Sequence, residues 1–131
     1  MLAHLRLLRV AQKVERYLGG HLKRWGLNNA QFDVLAHVGA TEGVTQQELA
    51  DSLLVTKGNV TQLLSRMEKR GLLQRRSEGR TNRIYLTDEG RRTFEEAVPA
   101  QEALISSRLS VLTGKEQKQL LGLLRKLDHS L

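Results

Sequence analysis

Between residues 44 and 92, signals for helix start, helix stop and reverse turn follow one another so closely that only short elements fit between them. Val44-Thr45-Gln46-Gln47-Glu48-Leu49 reads as a capping box. The Thr45 hydroxyl is placed to accept from the N–H three residues on, Glu48 to reach back, and Val44 and Leu49 to close a hydrophobic staple. Val55, Thr56 and Val60 repeat the cap and the staple. Gly71 stops this second helix, with Lys69 and Arg70 in its last turn, where basic side chains meet the negative end of the helix dipole. Residues 72–76 then read as a strand, 77–82 as a turn-rich stretch, and 83–86 as a return strand with Ile84 and Leu86 on one face. Thr87 caps a further helix. Two short helices, a basic hairpin and a helix, in that order, predict a winged helix-turn-helix. In that unit the second helix enters a DNA groove and the hairpin lies beside it.

The helix predicted over 56–70 carries the chemistry. Val60, Leu63, Leu64 and Met67 recur at i, i+3, i+4 and i+7 and form its inner face. Thr56, Lys57, Gly58, Asn59, Thr61, Gln62, Ser65 and Arg66 are the expected DNA-facing set. Asn and Gln pair with adenine, Arg with guanine, and Thr touches a thymine methyl. This helix has no acid before Glu68, which a face built only for solvation does not explain. In the wing, Arg75, Arg80 and Arg83 are the expected contacts. Arg80 sits at the tip, where it reaches a minor groove of concentrated negative potential. Thr45 and Lys69 are the expected contacts to the DNA backbone.

The charge distribution agrees. Of a formal net charge of +7, residues 55–83 supply +6, from Lys57, Arg66, Lys69, Arg70, Arg75, Arg76, Arg80 and Arg83 against Glu68 and Glu78. Such concentration is the electrostatic footprint of a phosphate-binding surface. There is no cysteine, which excludes disulfides, thiolate zinc sites and thiol redox switching. One tryptophan, two tyrosines and two phenylalanines are too few for a single-strand stacking platform. The four histidines are scattered, and no nucleophile, phosphate loop or paired carboxylates accompany them, so an enzyme is not expected and no cofactor is implied. No apolar run is long enough to span a bilayer, and Arg6, Arg9 and Lys13 interrupt the N-terminal leucines in a way a signal peptide does not. A cytoplasmic protein is expected.

The flanks read as helices with broad apolar stripes. Residues 2–25 present Leu7, Ala11, Val14, Leu18, Leu22 and Trp25; residues 111–131 present Leu120, Leu124, Leu127 and Leu131, widened by Leu121 and Leu123. A domain this small cannot cover them alone, so they are expected to pack on a second chain, with Leu7, Val14, Leu120, Leu124 and Leu127 in the interface. Asn28 and Gln31 form another capping box, and Thr113 with Glu116 a further one. A connecting helix over 87–112 buries Phe94, Ala97, Val98, Leu104, Ile105 and Leu109 and is kinked at Pro99. The expected fold is mainly α with a small β-wing. It is a single domain of residues 1–131, with 27–92 as the winged helix-turn-helix and 1–26 and 100–131 as dimerisation helices.

Leu49-Ala50, the run Val60 through Leu64, Glu68-Lys69-Arg70-Gly71-Leu72-Leu73, and the run Arg80 through Gly90 together resemble the multiple-antibiotic-resistance regulator (MarR) family. That family's wing motif is Asp-x-Arg, five residues, then Leu-Thr-x-x-Gly. Arg80, Leu86, Thr87 and Gly90 match it, and Glu78 stands where Asp is usual, which leaves open whether the wing keeps its internal salt bridge: a longer side chain meets a neighbouring arginine only with altered geometry. The resemblance implies a two-fold dimer with interlocked terminal helices. It also implies a small effector, often an aromatic or phenolic acid, held between the dimer helices and the DNA-binding region. Tyr17, His21, Trp25 and His37 are candidate lining residues. The expected function is a homodimeric repressor on a pseudo-palindromic operator, released by the effector. Two alternatives stay open: a metal-responsive regulator using His21 with Glu15 or His37, and an effector-independent architectural DNA-binding protein.

Overall fold

The computed structural model of the protein describes residues 2–53 and 57–131, and at positions 57 and 58 the backbone only. Helix α1 (Leu2–Leu22) opens the chain and tightens into a 3-10 turn, Lys23–Trp25, that Gly26 closes. Trp25, the last position of the apolar stripe read from the sequence, therefore lies on the turn rather than on the helix, where it packs partly buried against the core.

Helices α2 (Asn29–Ala40) and α3 (Gln46–Ser52) start at the capping boxes of Asn28 and Thr45. In each, a side chain satisfies an orphan N–H of the first turn, and the acceptor three residues on returns the bond. A two-residue strand, β1 (Val44–Thr45), precedes α3. Helix α4 (Lys57–Lys69) follows, then β2 (Leu73–Glu78), β3 (Thr81–Leu86), α5 (Asp88–Leu109) and α6 (Gly114–Ser130). The cap and staple expected at Val55 and Thr56 lie outside the described residues.

The sheet is antiparallel with order β1-β3-β2, and Val44 pairs with Ile84. The hairpin strands run further than their composition suggests. Ser77 pairs with Asn82 and Glu78 with Thr81, so the turn shrinks to Gly79 and Arg80. Residues 77–82 are polar because the ribbon's far end is exposed on both faces, not because they lack strand geometry. Gly79 has φ of 64°, a conformation glycine adopts without steric cost, and it occupies the first central position of the two-residue turn.

The core lies within the winged helix-turn-helix. Val34, Leu35 and Val38 of α2, Leu49 of α3, and Val60, Leu64 and Met67 of α4 close on Leu72, Leu73, Ile84 and Leu86, with Leu22 from the end of α1 and Leu27 from the loop before α2. Each such buried side chain contributes roughly 1.5–3 kcal/mol from removal of apolar surface from water. The Leu-Thr-x-x-Gly motif locks α5 onto this core. The Thr87 side chain caps Gly90 at 3.0 Å and donates to the Gly71 carbonyl, and the Thr87 N–H donates to Leu72. Gly90 is buried against the Leu72 carbonyl oxygen, which a Cβ there would meet at 2.0 Å.

Helix α5 ends at Leu109, short of the 87–112 span read from the sequence. The chain turns there because Gln117 of α6 draws in the carbonyls of Leu109 and Leu112, both at 3.1 Å. Pro99 falls inside α5 as expected, and Ala97 and Gln101 are its buried positions beyond Gly90. Nothing on α6 is buried, although its Thr113 capping box is formed. Among the described residues, no helix is long and apolar enough to cross a membrane.

Candidate nucleic-acid interface

The surface predicted to meet DNA is built from α3, α4 and the wing. Asn59, Thr61, Gln62, Arg66 and Lys69 are exposed on α4, opposite its buried Val60, Leu64 and Met67. The expectation for Thr56, and for the side chains of Lys57 and Gly58, lies outside the described residues. A concavity of about 590 Å³ runs between the helices and the wing tip. Thr45, Gln46, Gln47 and Thr61 form one wall, and Arg80, Thr81 and Asn82 the other. Thr45, Thr61 and Arg80, chosen from separate parts of the sequence, thus share one groove. Among the described residues Arg66, Lys69 and Arg80 have no ion-pair partner, so their charge remains available to an anion.

Not every basic side chain in this segment is free. Arg75, expected in the wing as a DNA contact, is turned inward as a strut. Its Nε donates to Glu68 at 2.8 Å, Nη1 to Gln46 at 3.2 Å and Nη2 to the Ser65 hydroxyl at 3.0 Å. This joins β2 to both helices. Ser65 is half-buried and its oxygen already accepts from Arg75, so it stands behind the exposed face rather than on it. Gln46 completes the network by donating to Thr61 at 3.4 Å. Gln46 was missed from sequence, since nothing about an N-terminal glutamine announces a long-range partner. Glu68, the lone acid on the helix, was the available sign of an internal arginine.

The wing has its own frame. Glu78 accepts from the Tyr85 hydroxyl at 2.9 Å and faces Arg83 Nε at 3.2 Å, while Arg83 Nη1 donates to the Gly43 carbonyl at 2.8 Å. Arg76 lies over the Tyr85 ring at 4.3 Å. The glutamate in the aspartate position therefore does reach an arginine, and a tyrosine as well. Its acceptance of the phenol proton raises the Tyr85 pKa above the ordinary 10.0. At the other side of the unit, the Thr45 cap bonds lower the Glu48 pKa below its usual range.

The candidate effector residues separate into two places. His21 and Trp25 line a cleft of about 270 Å³ with Arg24, Ala100, Ala103, Leu104 and Ser107. Tyr17 stands against His21 with ring centres 4.8 Å apart, under Arg108 at 4.2 Å. His37 is elsewhere, on α2, with Nδ1 3.2 Å from the Asp33 carboxylate. The described residues contain no group of three or more histidines and carboxylates close enough to hold a metal.

The interface residues expected at the dimer are exposed in the single chain: Leu7, Leu120, Leu124 and Leu127 at 38–44%, with Val14 half-buried. A cleft of about 400 Å³ lies along the leucine face of α6.

Comparison with known proteins agrees with this geometry. A family model described as the MarR family matches residues 25–84. An uncharacterised HTH-type transcriptional regulator of Bacillus cereus is 39% identical over 128 residues, covering 96% of this chain and 87% of the relative. The transcriptional regulator HosA of Escherichia coli is 30% identical, covering 84% of this chain and 87% of HosA. Among solved structures, a mutant of MarR from Escherichia coli complexed with operator DNA superposes with a TM-score of 0.84 at 29% identity, covering 93% of this chain and 91% of that one. Identity at this level over nearly the full chain, on a winged helix-turn-helix with the wing motif in place, means that the chain belongs to the MarR family and is a transcriptional regulator, not an enzyme.

Proposed function

We propose that the protein binds double-stranded DNA as a homodimer and represses transcription by occupying a pseudo-palindromic operator. The observation that carries this reading is the groove joining Thr45, Thr61 and Arg80, with exposed Gln62, Arg66 and Lys69 beside it. Hydrogen-bonding side chains at the front of a helix, a cationic wing tip and uncompensated arginines are what base reading with phosphate attachment requires. The solved MarR complex with operator DNA supports the same use of this fold. Within the reading, Asn59, Thr61, Gln62 and Arg66 read the major groove, Arg80 enters the minor groove, Thr45 and Lys69 hold the phosphates, and Arg75 holds the scaffold.

Dimerisation rests on α6. Its Leu120, Leu124 and Leu127, continued by Leu131 just past its end, form one apolar stripe that is exposed in the single chain. A second copy covers it and sets two recognition helices about 34 Å apart, one turn of DNA. The effector proposal rests on the Trp25 cleft. The Trp25 ring facing Ala100, Ala103 and Leu104, with His21 and Arg24 on the lining, suits an aromatic or phenolic acid, which would favour a dimer whose helix spacing no longer fits DNA. Such a regulator works where the DNA is, in the cytoplasm.

The test is selection of bound duplexes from a random library at two salt concentrations. A palindrome with half-sites about one turn apart is expected, bound less tightly as salt rises. Salt-sensitive binding without any sequence pattern would replace this reading with an architectural one.

A further inference from the structure

One side chain ties the recognition helix to the end of the first helix. Arg70, whose backbone N–H bonds back to Arg66, extends its guanidinium across to the turn after α1. Nη1 donates to the Gly26 carbonyl at 2.5 Å, and Nη2 donates to the Trp25 carbonyl. These carbonyls close the rod formed by α1 and its 3-10 turn, where no later residue of the rod supplies a donor. A cation at that position also meets the negative pole of the rod. The planar fork of an arginine suits two adjacent carbonyls, which the single ammonium of lysine does not. Helix α4 otherwise packs chiefly on β2, α2 and α3. Among the described residues, its direct polar link to the dimerisation end of the molecule is Arg70, one position past its last residue.

The turn that Arg70 grips is held from the far side as well. Trp25 Nε1 donates to Glu96 of α5 at 3.1 Å, Arg24 lies over the Trp25 ring at 4.6 Å, and that ring lines the cleft with Ala100 and Leu104. The turn thus has α4 on one side and α5 on the other.

We infer that Arg70 is a positioning residue that holds α4 at a set distance from the dimerisation helices, so that displacement of the Trp25 turn moves the recognition helix with it. The inference rests on the DNA-binding reading above. It assigns Arg70 a role distinct from the phosphate contact that its place in a basic segment suggests, because both terminal guanidinium nitrogens are already engaged with backbone oxygens.

The test compares the selected palindromic duplex with the same duplex carrying two extra base pairs between half-sites. Binding is read by anisotropy of labelled DNA at several salt concentrations, for the native protein, Arg70→Ala and Arg70→Lys, with thermal melts as a check on folding. In the native protein the insertion is expected to weaken binding about 100-fold, because the recognition helices are held at one spacing. In Arg70→Ala the penalty falls to about 10-fold while the salt slope on the original duplex stays unchanged, and Arg70→Lys behaves like the alanine variant. An unchanged spacing penalty, with a salt slope smaller by about one, makes Arg70 a phosphate contact and overturns the inference. A second measurement needs no loss of stability to interpret. Trp25 is the one tryptophan in the chain, so its emission reports on the turn itself. Binding of the duplex is expected to change that emission in the native protein and not in Arg70→Ala; an emission unchanged at full occupancy of the native protein overturns the inference. Failure of the native protein to bind any duplex removes the DNA-binding reading, and this one falls with it. Binding with the spacing penalty intact in Arg70→Ala removes this one alone.

Discussion

Arg75 and Glu68 meet side-on, with Nε and Nη2 of the arginine each 2.8 Å from the same carboxylate oxygen. The pair is partly shielded, its side chains 23% and 34% exposed, and Gln46 and Ser65 take the other guanidinium bonds. The result is one cation holding β2, α3 and α4 in register. Removing it leaves Glu68 and two polar side chains short of partners. Arg75→Ala is expected to cost about 1–2 kcal/mol of stability in denaturant titration, and Arg75→Lys to recover little of it because one ammonium cannot reproduce the fork. The salt slope of DNA binding should stay as in the native protein. A slope reduced by about one, with stability intact, would return Arg75 to the DNA-contacting set.

The exposed residues should respond differently. Gln62→Ala and Arg66→Ala are each expected to lose roughly 1–3 kcal/mol at the preferred site and to relax base choice at one position of a repeated duplex selection. Arg80→Ala should weaken binding most where the flanks are A·T-rich, since a narrow minor groove gives the wing tip its attraction. If base preference survives both α4 substitutions unchanged, α4 is not the reading element.

Gly90→Ala places a methyl group 2.0 Å from the Leu72 carbonyl oxygen, inside a buried junction that Thr87 already clamps. Backbone, not a flexible side chain, must move to make room. A loss of about 3 kcal/mol or more is expected, read as a lowered midpoint in thermal or denaturant unfolding. A native-like midpoint would mean that the start of α5 sits further from Leu72.

Charged substitutions on α6 test the dimer. Leu124→Glu with Leu127→Glu buries two carboxylates in an apolar seam if the stripe is an interface, whereas in the single chain both positions are exposed. Sedimentation should then show monomers with native helix content and little DNA affinity. A dimer that survives both substitutions places the interface elsewhere.

Tyr85 offers a pH signature. Its hydroxyl donates to Glu78, which favours the protonated phenol and raises its folded-state pKa above the 10.0 of the free side chain. A group whose pKa is raised on folding stabilises the fold fully below its unfolded pKa, and that contribution fades as pH rises through the folded value. The part of the phenolate absorbance that vanishes in Tyr85→Phe is therefore expected to titrate above pH 10.0 in the native protein and to move down toward it in Glu78→Ala. If Glu78→Ala leaves that titration where it was, the carboxylate does not hold the phenol.

The sequence alone determined the punctuation of this chain. The caps at Asn28, Thr45, Thr87 and Thr113 stand where short-range chemistry placed them, because a cap is a contract between residues three apart. The inner face of α4 and the polar face opposite it follow from helical periodicity in the same way. The groove residues Thr45, Thr61 and Arg80 were nameable one by one from residue type and local position. Tertiary structure decided which arginines are free. Arg66, Arg70, Arg75 and Arg80 lie close together in sequence and carry the same charge. Only the approach of Gln46 and Glu68 to one, and of the Trp25 turn to another, makes Arg75 and Arg70 ties between elements while Arg66 and Arg80 are exposed and, among the described residues, outside any ion pair. The same holds for the extra length of the wing strands, the early end of α5 and the separation of His37 from His21. The wing strands stay polar to their tip because that end is exposed, α5 ends where Gln117 of the next helix takes the Leu109 and Leu112 carbonyls, and the two histidines part because α1 and α2 present them at different places; no hydrophobic period announces any of these.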